Sequence, residues 1–204
     1  MLEREKPVFI VGINGSPIKD GNTAYLLNKA MEQVEAMGGL TCLIQAGEIM
    51  NQFPVPFCTN CSTPCRGACV VDSPLYEVHQ LLREADGIIV GSPVYFGTVS
   101  AQLKAFWDKA RYMWTGKVLL NKVGGAVAVG ASRFGGQEGT LRTIQDIMLI
   151  QGITVVNPSY RSDKPGHCGV AAQKPSSDDQ GAQAELSVMV KRIYEVSLAT
   201  RSLR

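Results

Sequence analysis

The chain is poor in the features that would place it in most functional classes. Its 204 residues hold no apolar run approaching the roughly 20 residues of a membrane-spanning helix, so no membrane role is expected. The opening MLEREKP is charged and runs straight into a strand-like segment, without the pattern of a secretory leader. A cytoplasmic protein is the expectation. An excess of either charge is lacking: 20 Lys and Arg against 18 Asp and Glu leave a net charge of +2, with no basic run. That removes support for nucleic-acid or anionic-membrane partners. Histidine occurs only twice, and both His79 and His167 read as surface residues. There is no H-E-x-x-H, no nucleophile elbow and no other acid–base constellation, so hydrolytic chemistry has no visible machinery. Neither the dinucleotide signature G-x-G-x-x-G nor the nucleotide-hydrolase loop G-x-x-x-x-G-K-[ST] is present.

What the chain does have is an α/β rhythm in a single domain, 1–204, with ordinary apolar content of 45%. Strand patterns fall at 8–13, 40–46, 86–91, 122–130 and 152–157. Helix patterns fall at 23–37, 74–84, 100–113, from about 137 to 151, and at 182–199. Alternation of this kind predicts a doubly wound, five-stranded parallel sheet, and right-handed crossovers favour the order 2-1-3-4-5. Ligands then sit beyond the carboxyl ends of strands 1 and 3. Two stretches interrupt the rhythm: a cysteine-rich insertion at about 47–73, and a polar excursion at about 158–181 read as surface. Trp107, Tyr112 and Trp114 read as core or subunit-interface residues. Cys42, inside the second strand, reads as a small buried apolar residue.

Three loops at strand ends stand out. The first, NGSPIKDGNT after the first strand, is rich in small, hydroxyl-bearing and turn-forming residues and leads directly into a helix. Free backbone N–H groups, hydroxyls and a helix N-terminus are what a phosphate dianion needs in exchange for its water. The second, SPVYFG, joins a turn-forming proline to two aromatics and a glycine. The third, SRFGGQE, has paired glycines for close approach and polar side chains.

Residues 47–73 hold three prolines and four cysteines, the latter spaced Cys58-x2-Cys61-x3-Cys65-x3-Cys69. Structural zinc usually takes two separated cysteine pairs, and this cluster is tighter than that. Free thiols or a disulfide relay are a second reading. A cubane [4Fe–4S] cluster is the third and is favoured, because compact four-cysteine runs are its sequence habit. Cys168 is a possible substitute ligand.

Gly-Ser-Pro-x-Lys-x-Gly-Asn-Thr resembles the phosphate loop of the flavodoxin-like flavin reductases. SPVYFGTVSAQLKAFWD and GGAVAVGASRFGGQEGT resemble the flavin-platform segments of the iron-sulfur flavoproteins and related multimeric quinone reductases. The resemblance covers about residues 8–156 and implies a flavodoxin-like fold with FMN. It would place Ser16, Pro17, Lys19, Gly21, Asn22 and Thr23 on the phosphate. Pro93, Val94, Tyr95, Phe96 and Gly97 would border the ring, and Ala131, Ser132, Arg133, Gly135 and Gly136 would close it. Such a ring needs an apolar platform and backbone groups at its polar edge. The iron-sulfur flavoproteins also carry a cysteine run at this place, spaced C-x2-C-x2-C before a longer gap. Here the third cysteine comes one position late, with Pro64 in its stead. The resemblance further implies a homodimer or homotetramer, a ferredoxin-type electron donor feeding the cluster, and a small acceptor such as a quinone, oxygen or peroxide. The alternatives are a cluster-free NAD(P)H-dependent FMN or quinone reductase, and a non-catalytic electron carrier or redox sensor.

Overall fold

The computed structural model describes residues 6–161 and 165–204. Residues 1–5 of the charged opening and residues 162–164 of the polar excursion lie outside them. Three apolar segments form the centre of a parallel sheet: β1 (Phe9–Asn14), β3 (Gly87–Pro93) and β4 (Val123–Gly130), nearly every residue of which is buried. Strands covered on both faces read as continuous apolar runs rather than as alternation. β2 (Leu40–Gln45) lies at one edge and is only partly buried. The order is β2-β1-β3-β4-β5, as the alternation predicts.

The helices cover both faces. On one side α3 (Pro74–Glu84), α4 (Ala101–Lys109) and α6 (Gln137–Ile150) bury Leu75, Leu82, Phe106, Leu141 and Ile144. On the other, α1 (Asn22–Ala36) and α7 (Gln180–Ala199) bury Leu26, Leu27, Leu186, Met189 and Ile193. Two short helices complete the set. α2 (Ala46–Met50) occupies the first residues of the predicted insertion, and α5 (Arg111–Thr115) continues α4 after a break at Ala110. At the far edge, two strands share one position. β5 (Thr154–Val155) pairs with the start of β4, and β6 (Val170–Gln173) with its end. The excursion at 158–181 is therefore not wholly surface: Val170 and Ala172 are fully buried. Four residues of strand flanked by polar sequence carry too little pattern to be read locally.

At the amino end of the sheet, Asp86 ties down the C-terminus. Its carboxylate accepts from Arg201 at 2.9 Å, Arg204 at 3.0 Å and the Phe9 amide at 3.0 Å. Burial raises the pKa of this acid, but the Arg201 hydrogen bond and the neighbouring cations outweigh it and hold the carboxyl below its usual range. Lys122 is buried beside it, donating to the carbonyls of Arg83 and Ala85, and burial pulls its pKa down to about 8.

His79 corrects the sequence reading. It is only 4% exposed, and neither ring nitrogen has a hydrogen-bond partner among the described residues. The helix α3 turns Leu75, Val78, His79 and Leu82 inward, so His79 shares the face that the three apolar residues define. Burial, helped by the charge of Arg83, lowers its pKa to about 4. Unfolded, a histidine titrates near 6.5. The stability linked to His79 is therefore complete above pH 6.5. As the pH falls toward 4, the unfolded chain takes up a proton that the folded chain refuses, and about 3 kcal/mol is lost. Urea melts between pH 7 and 4 will show this decline. His79→Leu will flatten it and raise stability at pH 5, because it also removes two buried unpaired nitrogens.

Candidate functional site

The carboxyl ends of β1, β3 and β4 open into the three unusual loops, and the fold ties these loops to one another. In the first, the Asn14 side chain accepts from the Ser16 amide at 3.0 Å and donates to Gln45 at 2.7 Å. The Ser16 hydroxyl then accepts from the Ile18 amide at 3.1 Å. The loop is thus folded by its own small polar side chains. It ends at α1, whose N-cap Gly21 offers no side-chain cap and whose first turn holds no acidic residue. Asn22 does not cap the helix, because its side-chain oxygen accepts from the Ser176 amide at 2.7 Å, across the sheet's end. A helix N-terminus left open in this way carries partial positive charge and unpaired donors. Ser16 and Thr23 are buried at this spot, whereas Pro17 and Lys19 are exposed. Lys19 is turned outward, 3.2 Å from Glu48.

Loops one and two meet through the Gly15 amide, which donates to the Gly91 carbonyl at 2.8 Å, and through the Ser100 hydroxyl on the Gly15 carbonyl. In the second loop, Tyr95 and Thr98 pair backbone to backbone around a two-residue turn. Phe96 (φ 50°) and Gly97 (φ 80°) both adopt the left-handed region there. Glycine does this freely; a phenylalanine pays in strain, and such outliers concentrate at functional sites. The Phe96 ring is fully exposed at the tip of the turn, and Tyr95 beside it is 41% exposed. Pro93 and Val94 lie half-buried behind them.

The third loop is held by a residue absent from the predicted set. The buried Gln137 side chain accepts from the Gly135 amide at 2.8 Å and donates to the carbonyls of Ser132 at 2.6 Å and Ala172 at 3.1 Å. It latches the loop to β6. Its only sequence signal is position, as the first residue of a helix after paired glycines. Gly136 (φ 95°) touches the second loop: a Cβ there would lie 3.2 Å from Gly97 Cα and from Val94 Cγ1. Ala131, Ser132 and Arg133 are exposed along this loop. Phe134 was not among the predicted site residues; it is 92% exposed beneath the Arg133 guanidinium. Together the loops make a shelf with an open helix terminus at one end and exposed aromatics at the other. That arrangement suits a planar apolar ring carrying a phosphate.

The four cysteines lie elsewhere, at the far end of α4. Cys58, Cys61, Cys65 and Cys69 are all free thiols and line one small pocket with Asn60, Asp108, Lys109 and Arg111. Arg111 donates to the Asn60 side chain, and the Asn60 amide lies 3.4 Å from Cys58 Sγ. The Tyr112 ring packs against Gly67 (φ 69°), where any Cβ would strike it at 2.8 Å. Among the described residues, no three Cys, His, Asp or Glu side chains are closed into a ready coordination sphere. The donor set nevertheless suits a thiolate-ligated centre: four free cysteines line one pocket together with Lys109 and Arg111. Cys168 lines a different pocket, with Gln145 and Glu185, away from the other thiols. His167 is exposed next to it, as expected. Cys42 is half-buried in β2, where burial raises its pKa. Trp107 is buried edge-on to Phe106, whereas Tyr112 and Trp114 remain about half exposed. The nine residues of α4 put roughly 13 Å of helix between the second loop and the cysteine pocket.

Comparison with known proteins points the same way. The sequence profile of a family described as NADPH-dependent FMN reductase matches residues 8–165. An iron-sulfur flavoprotein of Methanocaldococcus jannaschii is 40% identical over 190 residues, covering 92% of this chain and 96% of that protein. An iron-sulfur flavoprotein of Methanosarcina thermophila is 36% identical over 190 residues, covering 92% and 94%. Among solved structures, a flavodoxin-type, WrbA-like protein from Agrobacterium tumefaciens superposes with a TM-score of 0.65 at 20% identity. That match spans 95% of this chain and 99% of the other, and it bears on the fold.

Proposed function

The chain belongs to the NADPH-dependent FMN reductase family, among its iron-sulfur flavoproteins, and on that premise we propose that this flavin-dependent oxidoreductase joins a one-electron donor to a two-electron acceptor. When bound, FMN supplies hydride or single-electron exchange, and a [4Fe–4S] cluster supplies single electrons. The residues of this chain bind and orient. The open N-terminus of α1, with the loop residues Ser16, Gly21, Asn22 and Thr23, takes the FMN phosphate. Pro17 and Lys19 border it from outside. Residues 93–97 and 131–136 frame the ring, with Gln137 holding the second of these segments in place. Cys58, Cys61, Cys65 and Cys69 ligate the cluster. Exposed Phe96 and Phe134 beside the shelf support a homodimer or homotetramer in which a second subunit covers them. No helix among the described residues is long and apolar enough to cross a membrane.

The observation that carries this reading is the meeting of four free thiols on one pocket wall. A ferredoxin-type donor feeds that end of the molecule, and a small acceptor such as a quinone, oxygen or peroxide is reduced at the shelf. A second reading, a cluster-free enzyme driven by NAD(P)H, is favoured by the family's own description. Anaerobic stopped-flow reduction separates the two. Reduced ferredoxin should bleach the flavin at least about tenfold faster than NADPH does, a rate ratio equivalent to about 1.4 kcal/mol of barrier. Rapid bleaching by NADPH, with no iron or acid-labile sulfide in the protein, would overturn the cluster reading.

A further inference from the structure

Lys109 is a largely buried lysine whose ammonium pairs with no carboxylate among the described residues. It is only 6% exposed, at the last position of α4. Its ammonium stands 4.6 Å from the centre of the Phe53 ring, and among the described residues it makes no hydrogen bond and no ion pair with a carboxylate. The carboxylate on the same pocket wall, Asp108, is engaged by Lys104 at 2.6 Å. Arg111, the other cation of the pocket, is held by Asn60 and lies half-buried. Burying a lysine against an aromatic face offsets part of its lost hydration, but a charge taken from water ordinarily needs a counter-charge. Apart from Asp108, the residues that share the pocket wall with it and could carry negative charge are the four cysteines; Thr59, Asn60 and Ser62 are neutral.

We propose that Lys109 is the counter-cation of the cysteine-ligated centre, a positioning residue that retains the metal by charge and sets its reduction potential. The proposal rests on the cluster reading above and deepens it. A tetrathiolate cubane is a dianion when oxidised and gains a further negative charge on accepting one electron. A fixed cation at its edge favours the more negative state and so makes the centre easier to reduce. The same charge favours four metal-bound thiolates over four protonated thiols. No covalent step is involved; Lys109 acts only through its charge.

The test compares wild type, Lys109→Met and Lys109→Arg as full-length, FMN-loaded protein. Three quantities are read: the midpoint potential of the centre by spectroscopic redox titration, the rate of iron release to a chelator, and the melting temperature of the metal-free protein. The proposal expects Lys109→Met to have a more negative midpoint and to release iron roughly tenfold faster, the lower end of what losing an outer-shell partner costs. Lys109→Arg should restore both. Metal-free Lys109→Met should melt at or above the wild-type temperature, because the unpaired cation is gone. An unchanged midpoint and unchanged iron release in Lys109→Met would overturn the proposal. So would a fall in metal-free stability that Lys109→Arg does not repair, since that marks a packing role for the lysine stem. If the wild-type protein holds zinc in place of iron and sulfide, the cluster reading fails. Lys109 is then judged on zinc release alone, with faster release from Lys109→Met supporting it and equal release overturning it.

Discussion

Cys61→Ser will leave a folded flavoprotein that has lost its iron. Anaerobically purified wild type should carry about four iron atoms and four sulfides per flavin, the content of one cubane. The variant should carry close to none, with FMN content and the parallel sheet intact. The effect is large because Cys61 lies in a loop without strand or helix pairing, on the opposite end of α4 from the flavin shelf. A serine hydroxyl is a poor ligand for this centre and cannot replace the thiolate. Cys65→Ser is the sharper case, because the third cysteine comes one residue later than in the spacing it resembles. Its thiol lines the same pocket as the other three, so the same loss is expected. Cys168→Ser should keep full iron and sulfide, since that thiol faces another pocket. Full iron in Cys65→Ser together with loss in Cys168→Ser would show that the ligand set is wrong. Full iron in all three variants would remove the cysteine run from the metal site altogether.

Ser16→Asp will weaken FMN binding by roughly 100- to 1000-fold, while binding of riboflavin, which lacks the phosphate, changes little. Ser16 is buried beside the open end of α1, and its hydroxyl already accepts from the Ile18 amide. An aspartate can accept that same hydrogen bond, so the loop keeps its shape. It also sets a carboxylate next to the place proposed for the phosphate dianion, and like charges brought together in this way cost several kcal/mol. Ser16→Ala, which removes only the hydroxyl, should cost far less. Isothermal titration with both flavins reads the difference directly. Equal weakening for FMN and riboflavin would mean that the loop itself had collapsed. No weakening for either would place the phosphate somewhere else.

Much of this was legible before any coordinates. Continuous apolar runs such as FIVGIN and GIIVG could only be strands covered on both sides, and their alternation with amphipathic helices left few sheet orders. The loop after β1 declared itself by small polar residues in a number that no plain connection needs. The cysteines declared themselves by spacing. These signals are local, written within a dozen residues of one another, and periodicity or turn chemistry suffices to read them.

What the tertiary structure decided has a different character. His79 reads as a polar residue although it falls on the face of Leu75, Val78 and Leu82, and the packing of α3 against the sheet buries its ring with theirs. β6 is four residues in a polar stretch, made a strand by the exposed half of β4 that it covers. Gln137 became the latch of the third loop because Ala172, far along the chain, offers it a carbonyl. Lys109 is one more charge on a helix until the fold sets it over the Phe53 ring and on the wall of the cysteine pocket. In each case the deciding partner lies far away in sequence. Sequence alone therefore determined which elements exist, in what order, and which loops hold chemistry. The folded chain determined which side chains face one another, because burial and charge depend on neighbours that no local pattern encodes.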